Sequence, residues 1–263
     1  MSTPELTPVT VAPELMRGPL LNVLMTSADI DLEAAANVLR HALGDRLGEI
    51  HLDEGLLRVE IDGNHLAHIM LVDFPPKDPA ETYRIHPVQS GELDLDTITG
   101  QVLVTLLPSD PMLHQGRQAR EPRMVSLTLH AQVTAALASL KDVVAVHNTM
   151  SDVTIGPGIF VEAVSQGDLT MALCSVWLQQ TPTGINACTF GLTNAGHPEL
   201  VVDNSQMDPT ALYYKLLDIT NHILYGTTFK EGDTFAFAEG EDPLAIAAGS
   251  HPIADFPALT LEL

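Results

Sequence analysis

Cys188, Asn194, His197 and Glu199 crowd one stretch, Thr181 to Asp203, that reads as a strand, a glycine-bearing turn and a second strand. A thiol nucleophile, an imidazole base and a carboxylate to orient it are what a hydrolytic site needs, so this turn is the first place to look for chemistry. As a binding site it would use Asn194, His197 and Glu199. The architectural reading of the same residues is stronger. Cys188 shares a strand face with Asn186 and Phe190 and reads as a core thiol, while His197 is expected as an exposed turn imidazole. Gly191, Gly196 and Pro198 would set the path of the chain, with Asn194 and Gly196 suited to positive φ. Glu199 has no structural explanation in the sequence.

Other pairings are weaker. His65 and His68 lie three apart on a predicted strand, which puts them on opposite faces. Asp218 and His222, four apart on a predicted helix, read as part of a solvated face together with Lys215. Gly156-Pro157-Gly158 opens a short helix, but no Lys-Ser or Lys-Thr follows as a phosphate loop requires. No G-x-S-x-G, H-E-x-x-H, C-x-x-C or dinucleotide fingerprint occurs. Neither a cofactor nor a metal set is expected.

The elements that must position these residues follow from periodicity. Pro4, Pro8 and Pro13 make residues 1–18 an extended arm. After a short strand, Leu20 to Thr26, Asp31 caps a helix with Leu32, Ala35, Leu39 and Ala42 inward and Gly44 at its end. Leu57, Val59 and Ile61 alternate up to Asp62-Gly63-Asn64, a hairpin signal, and the return strand is His65 to Asp73. The prolines of 74–79 must leave the sheet, and a polar connection runs to about Thr99. Gln101 to Leu107 reads as a central strand, Arg123 to Leu140 as the longest helix and Val143 to His147 as a strand. Arg117, Arg120 and Arg123 read as a solvated approach to that helix. Met171 to Leu178, Ile185 to Leu192 and Glu199 to Val202 form a predicted meander. Asp208-Pro209 starts a helix carrying Leu212, Leu216, Ile219 and Ile223 inward. Thr234 to Ala238, Leu244 to Ala248 and Ala258 to Leu263 close the chain as strands.

This pattern gives an α+β class, with antiparallel or mixed sheets and helices packed on one face, and leaves two similar α/β halves as an option. The division expected is the arm, an α+β region over 19–168 and a second α+β domain over 169–263. Of 263 residues, 45% are hydrophobic but only 5% aromatic, so the core must be aliphatic. Twelve basic residues against 34 acidic ones give a net charge of −22, a field that repels phosphate backbones and favours a basic protein. The uncharged run over 169–198 is too interrupted by Gly, Pro and Asn for a membrane span, and Cys174 and Cys188 read as buried thiols. A cytoplasmic protein without membrane or nucleic-acid partners is expected.

Gly191-Leu192-Thr193-Asn194-Ala195-Gly196-His197-Pro198-Glu199 resembles the signature of the bacterial domain of unknown function 4261, and the likeness runs through Leu200 to Val202, the helix to Tyr225 and Glu231-Gly232-Asp233-Thr234. It covers about residues 170–263. The segments 73–79 and 94–107 are more loosely similar to the amino-terminal region of longer members. Ala195 stands where the family usually has Phe, His197 where it often has Lys, and Thr97-Ile98-Thr99-Gly100 where longer members carry a His-x-Ala-His stretch. The resemblance implies a fold unit and no stated activity. Together these readings favour a non-catalytic module of the immunity- or stress-associated type, binding a basic protein or a small ligand. The alternative is a hydrolase or metal-assisted enzyme at the Gly191–Glu199 turn.

Overall fold

The computed structural model describes residues 20–109, 120–237, 243–253 and 257–263; the arm over 1–18, Arg117 and the end of the predicted strand at Ala238 lie outside these. The first sheet is formed by β1 (Leu20–Thr26), β2 (Leu47–Asp53), β3 (Leu56–Ile61), β4 (His65–Val72), β5 (Gly100–Pro108), β6 (Val143–Asn148) and β7 (Val153–Ile155). Its order is β2-β3-β4-β5-β1-β6-β7 and every pairing is antiparallel. The helices among these strands are α1 (Leu32–Leu43), α2 (Pro79–Thr82) and α3 (Arg120–Ala138). Then come α4 (Pro157–Gln166), α5 (Leu169–Leu173), β8 (Ser175–Thr181), β9 (Gly184–Phe190), β10 (Glu199–Ser205), α6 (Pro209–Leu224), β11 (Thr234–Phe235), β12 (Leu244–Ser250) and β13 (Pro257–Leu261). The second sheet runs β11-β12-β13-β10-β9-β8, with only the β10/β13 pairing parallel among described strands. The fold is α+β.

Local chemistry accounts for most of these bounds. In β3 the alternation Leu57, Val59, Ile61 is buried, and Asp62 and Gly63 both take positive φ at the hairpin turn. Asp208 Oδ1 accepts the N–H of Ala211 and Pro209 fills the first turn of α6, whose Leu212, Leu216, Ile219 and Ile223 are buried. Leu259 and Leu261 tie the last strand between β10 and β12. One continuous apolar cluster includes Leu24 and Val104 of the first sheet, Leu129 of α3, and Leu200, Leu216 and Leu261 of the second region.

Four expectations need correction. Met171 is helical, because Asp168 Oδ1 caps its N–H and turns an apolar run, ambiguous by periodicity, into the helix α5. Ala42 is exposed, and the inward face of α1 continues through Leu43 instead. The segment after β4 is not merely a polar connection: Leu95 and Ile98 cover Met25 and Ala145 on the outer face of the first sheet, and His86 pairs with the edge strand β7 through Thr154 O. Arg120 and Arg123 do not form a solvated approach. Helix α3 begins a turn earlier than its apolar pattern suggests, and Arg123 is only 4% exposed. No described helix is long and apolar enough to cross a membrane.

Candidate functional site

The turn between β9 and β10 is built on two glycines. Gly191 has φ 112°, and a Cβ there would lie 2.2 Å from Leu173 O, so no other residue fits. A 3-10 turn over Leu192–Ala195 follows and closes at Gly196, φ 77°, whose N–H reaches Thr193 O. Asn194 is not among the residues of positive φ; the 3-10 turn holds it in right-handed geometry. The peptide of Pro198 is trans, like every described peptide bond.

Glu199, the first residue of β10, is completely buried, and its carboxylate accepts five hydrogen bonds. They come from the N–H groups of Gly191 (3.0 Å), Leu192 (3.3 Å) and Thr193 (3.0 Å) and from the hydroxyls of Thr189 (2.8 Å) and Thr193 (3.0 Å). Burial pushes its pKa above the ordinary value while the donors pull the other way. Thr189 Oγ1 also accepts the N–H of Leu200 at 2.8 Å, which locks the carboxylate to both strands. The glutamate thus replaces the ladder bonds that the turn removes.

His197 is buried, not exposed as the turn position suggested. Its Nε2 accepts the N–H of Phe229 at 3.1 Å, so Nδ1 carries the proton and donates to Pro198 O at 2.7 Å. Burial lowers its pKa to about 4, so the imidazole is neutral and both nitrogens are engaged. Asn194 Nδ2 donates to Met150 O at 3.2 Å, and its own carbonyl accepts Arg123 Nε at 3.2 Å, so the turn is anchored to the first region from two sides. Arg120 donates to Ile223 O and Thr227 O, capping the carbonyl end of α6. The Cys188 thiol is buried and pushed up to about 11, and Cys174 is also a free, buried thiol. No hydrogen bond joins the side chains of His197 and Glu199, since each is held by partners of its own. Among the described residues no group of three or more His, Cys, Asp or Glu could hold a metal ion.

Two hollows on the second region are open instead. The first, about 440 Å³, lies between α5 and α6 and is lined by Asp168, Asp218, Asn221, Tyr214 and Tyr225. Both tyrosines are well exposed, at 64% and 68%. The second, about 320 Å³, lies on the outer face of β8 and β9 over Trp177 and Cys188, walled by Arg84, Asn186, Pro252 and Ile253. Sequence reasoning missed both. The one available signal was Trp177, the single tryptophan of the chain, in an otherwise aliphatic composition.

No curated protein and no solved structure matches the chain. The family model described as a domain of unknown function (DUF4261) matches residues 188–262, from the middle of β9 through β13, and so places a DUF4261 domain in the C-terminal part of this chain.

Proposed function

We propose that the protein is a non-catalytic binding module of the immunity- or stress-associated type, whose acidic surface receives a basic protein partner. The observation that carries this reading is where the few cations go. Arg120 and Arg123 donate to backbone carbonyls inside the fold, and Arg46, Arg58 and Arg84 each pair with an aspartate. With 34 acidic residues against 12 basic ones, and these five arginines already engaged, the net charge of −22 is expressed at the surface as an excess of carboxylates. The hollow between α5 and α6 suits a lysine or arginine of such a partner. Tyr214 and Tyr225 line it with exposed aromatic side chains, the residue type that attracts a cation, and Asp168 and Asp218 supply the opposite charge.

The alternative, a hydrolase or metal-assisted enzyme at the Gly191–Glu199 turn, draws less support, because Glu199 and His197 have committed their polar atoms to the backbone. A pull-down at low and at moderate salt tests the binding reading. A basic partner retained at low salt should be released by screening and lost with Asp168→Asn combined with Asp218→Asn. Absence of any salt-sensitive partner would count against it.

A further inference from the structure

The hollow over Trp177 differs in kind from the rest of this acidic surface. Its floor is the indole of Trp177 beside the buried Cys188, and one wall is Ile253, 53% exposed, with Pro252 next to it. Trp177 Nε1 donates to Ser175 Oγ at 3.0 Å, and that hydroxyl in turn donates to Ser151 O at 2.9 Å, so the ring is held by its edge. A fixed indole backed by a strand is a preformed stacking surface. At about 320 Å³ the hollow sits at the small end of ligand sites and fits one or two fused rings.

The polar side chains at its rim are Arg84, Asn186 and Gln179, so donors outnumber acceptors. Arg84 lies close enough to act on the Cys188 thiol, and its Nη1 is 3.1 Å from Asp152 Oδ2, a half-exposed pair that leaves the other guanidinium N–H groups over. The side-chain carbonyl of Asn186 is engaged by the N–H of Asn204 at 2.9 Å, which leaves the NH₂ of that amide as its free end. Among the described lining residues there is an arginine and no carboxylate, in a chain of net charge −22. The nearby charge of Glu199 is offset by its five donors.

We propose that this hollow is a binding site for a small planar organic anion, an aromatic or heteroaromatic carboxylate, with its ring stacked on Trp177 and its carboxylate held by Arg84 and Asn186. A planar guanidinium matches a carboxylate with paired N–H donors, and the indole accounts for the ring. This site is separate from the α5/α6 hollow and stands or falls without the basic partner.

Trp177 is also the reporter, since it is the only tryptophan in the chain. Full-length protein is titrated with benzoate, 1-naphthoate and 1-naphthamide while its fluorescence is followed. Saturable change is expected with naphthoate, weaker binding with benzoate, and at least about tenfold weaker binding with the neutral amide. Arg84→Gln should bring the acid down to the level of the amide, and Ile253→Asp should abolish binding of both; circular dichroism verifies that each variant is folded. Should Arg84→Gln fail to fold, Ile253→Asp carries the test. Unsaturable quenching, equal affinity for acid and amide, or full binding by Ile253→Asp would overturn the proposal.

Discussion

The Gly191–Glu199 turn and the hollow over Trp177 share strand β9, and they differ in what their polar atoms have left to offer. At the turn, the Glu199 carboxylate, both ring nitrogens of His197 and the amide and carbonyl of Asn194 all find partners within the chain. Over Trp177, the indole face, the Ile253 side chain and part of the Arg84 guanidinium meet solvent. Both collect the residue types that sites use. Saturation separates them: a group whose hydrogen bonds are complete inside the fold stabilises it, while an ordered but open group can bind something else.

The hardest blow to this contrast would be a mild effect of Glu199→Ala. Its removal leaves three backbone N–H groups and two hydroxyls without their acceptor in a buried place, which should cost about 3–5 kcal/mol or prevent folding. Urea unfolding of Glu199→Gln offers a softer version, because the amide keeps one acceptor but turns an N–H₂ towards donors. A variant of unchanged stability would return the turn to the status of a site.

Acid should act on the turn through His197 and, through His251, whose Nδ1 accepts the N–H of Ile253 and whose pKa burial also lowers, on the wall of the hollow. Burial lowers His86, His130, His147 and His197 to about 4. Depressed folded pKa values mean that the unfolded chain binds more protons, so stability is complete above the unfolded value of about 6.5 and falls as pH drops towards 4. Glu199, shifted upward, works in the opposite sense: its contribution is present at low pH and lost as pH rises through its folded pKa. Four histidines outweigh one carboxylate. The share of His197 can be isolated with His197→Gln, which should remove one proton from the slope, about 1.4 kcal/mol per pH unit and about 3 kcal/mol across the window. Denaturation midpoints from pH 7 to pH 4 measure it; parallel curves for the two proteins would show that His197 is not held neutral.

Gly191→Ala tests the shape of the turn rather than its charge. Positive φ at a non-glycine residue and a Cβ 2.2 Å from Leu173 O should together cost about 2 kcal/mol or more, read as a lowered melting temperature.

What the sequence disclosed follows the same division. Elements defined by local periodicity were legible: the β3 alternation, the α6 cap and apolar face, the strand over Leu259 and Leu261. The glycines that bend the turn were visible too, since φ preferences are local. The role of Glu199 was hidden because its partners are chiefly backbone N–H groups, which every residue carries and which only the bend at Gly191 aims inward. His197 looked exposed because the Phe229 amide that satisfies it lies across the length of α6. Arg120 and Arg123 looked solvated for the same reason, their carbonyl partners being far along the chain. The Trp177 hollow joins residue 84 to strands β8 and β9 and to residues 252 and 253, and no spacing in a sequence encodes that meeting.

The smallest expected effect is the most discriminating. Ile253 is exposed and caps nothing, so Ile253→Ala should change unfolding free energy by less than about 0.5 kcal/mol. The same truncation removes apolar wall from the hollow and should weaken naphthoate binding severalfold by the lost contact area alone. Stability unaltered while affinity falls is the signature of a surface kept for a ligand. If Ile253→Ala instead destabilised the protein as the turn substitutions do, the hollow would be an unfinished piece of core, and its indole would be part of the packing like the apolar side chains around Glu199.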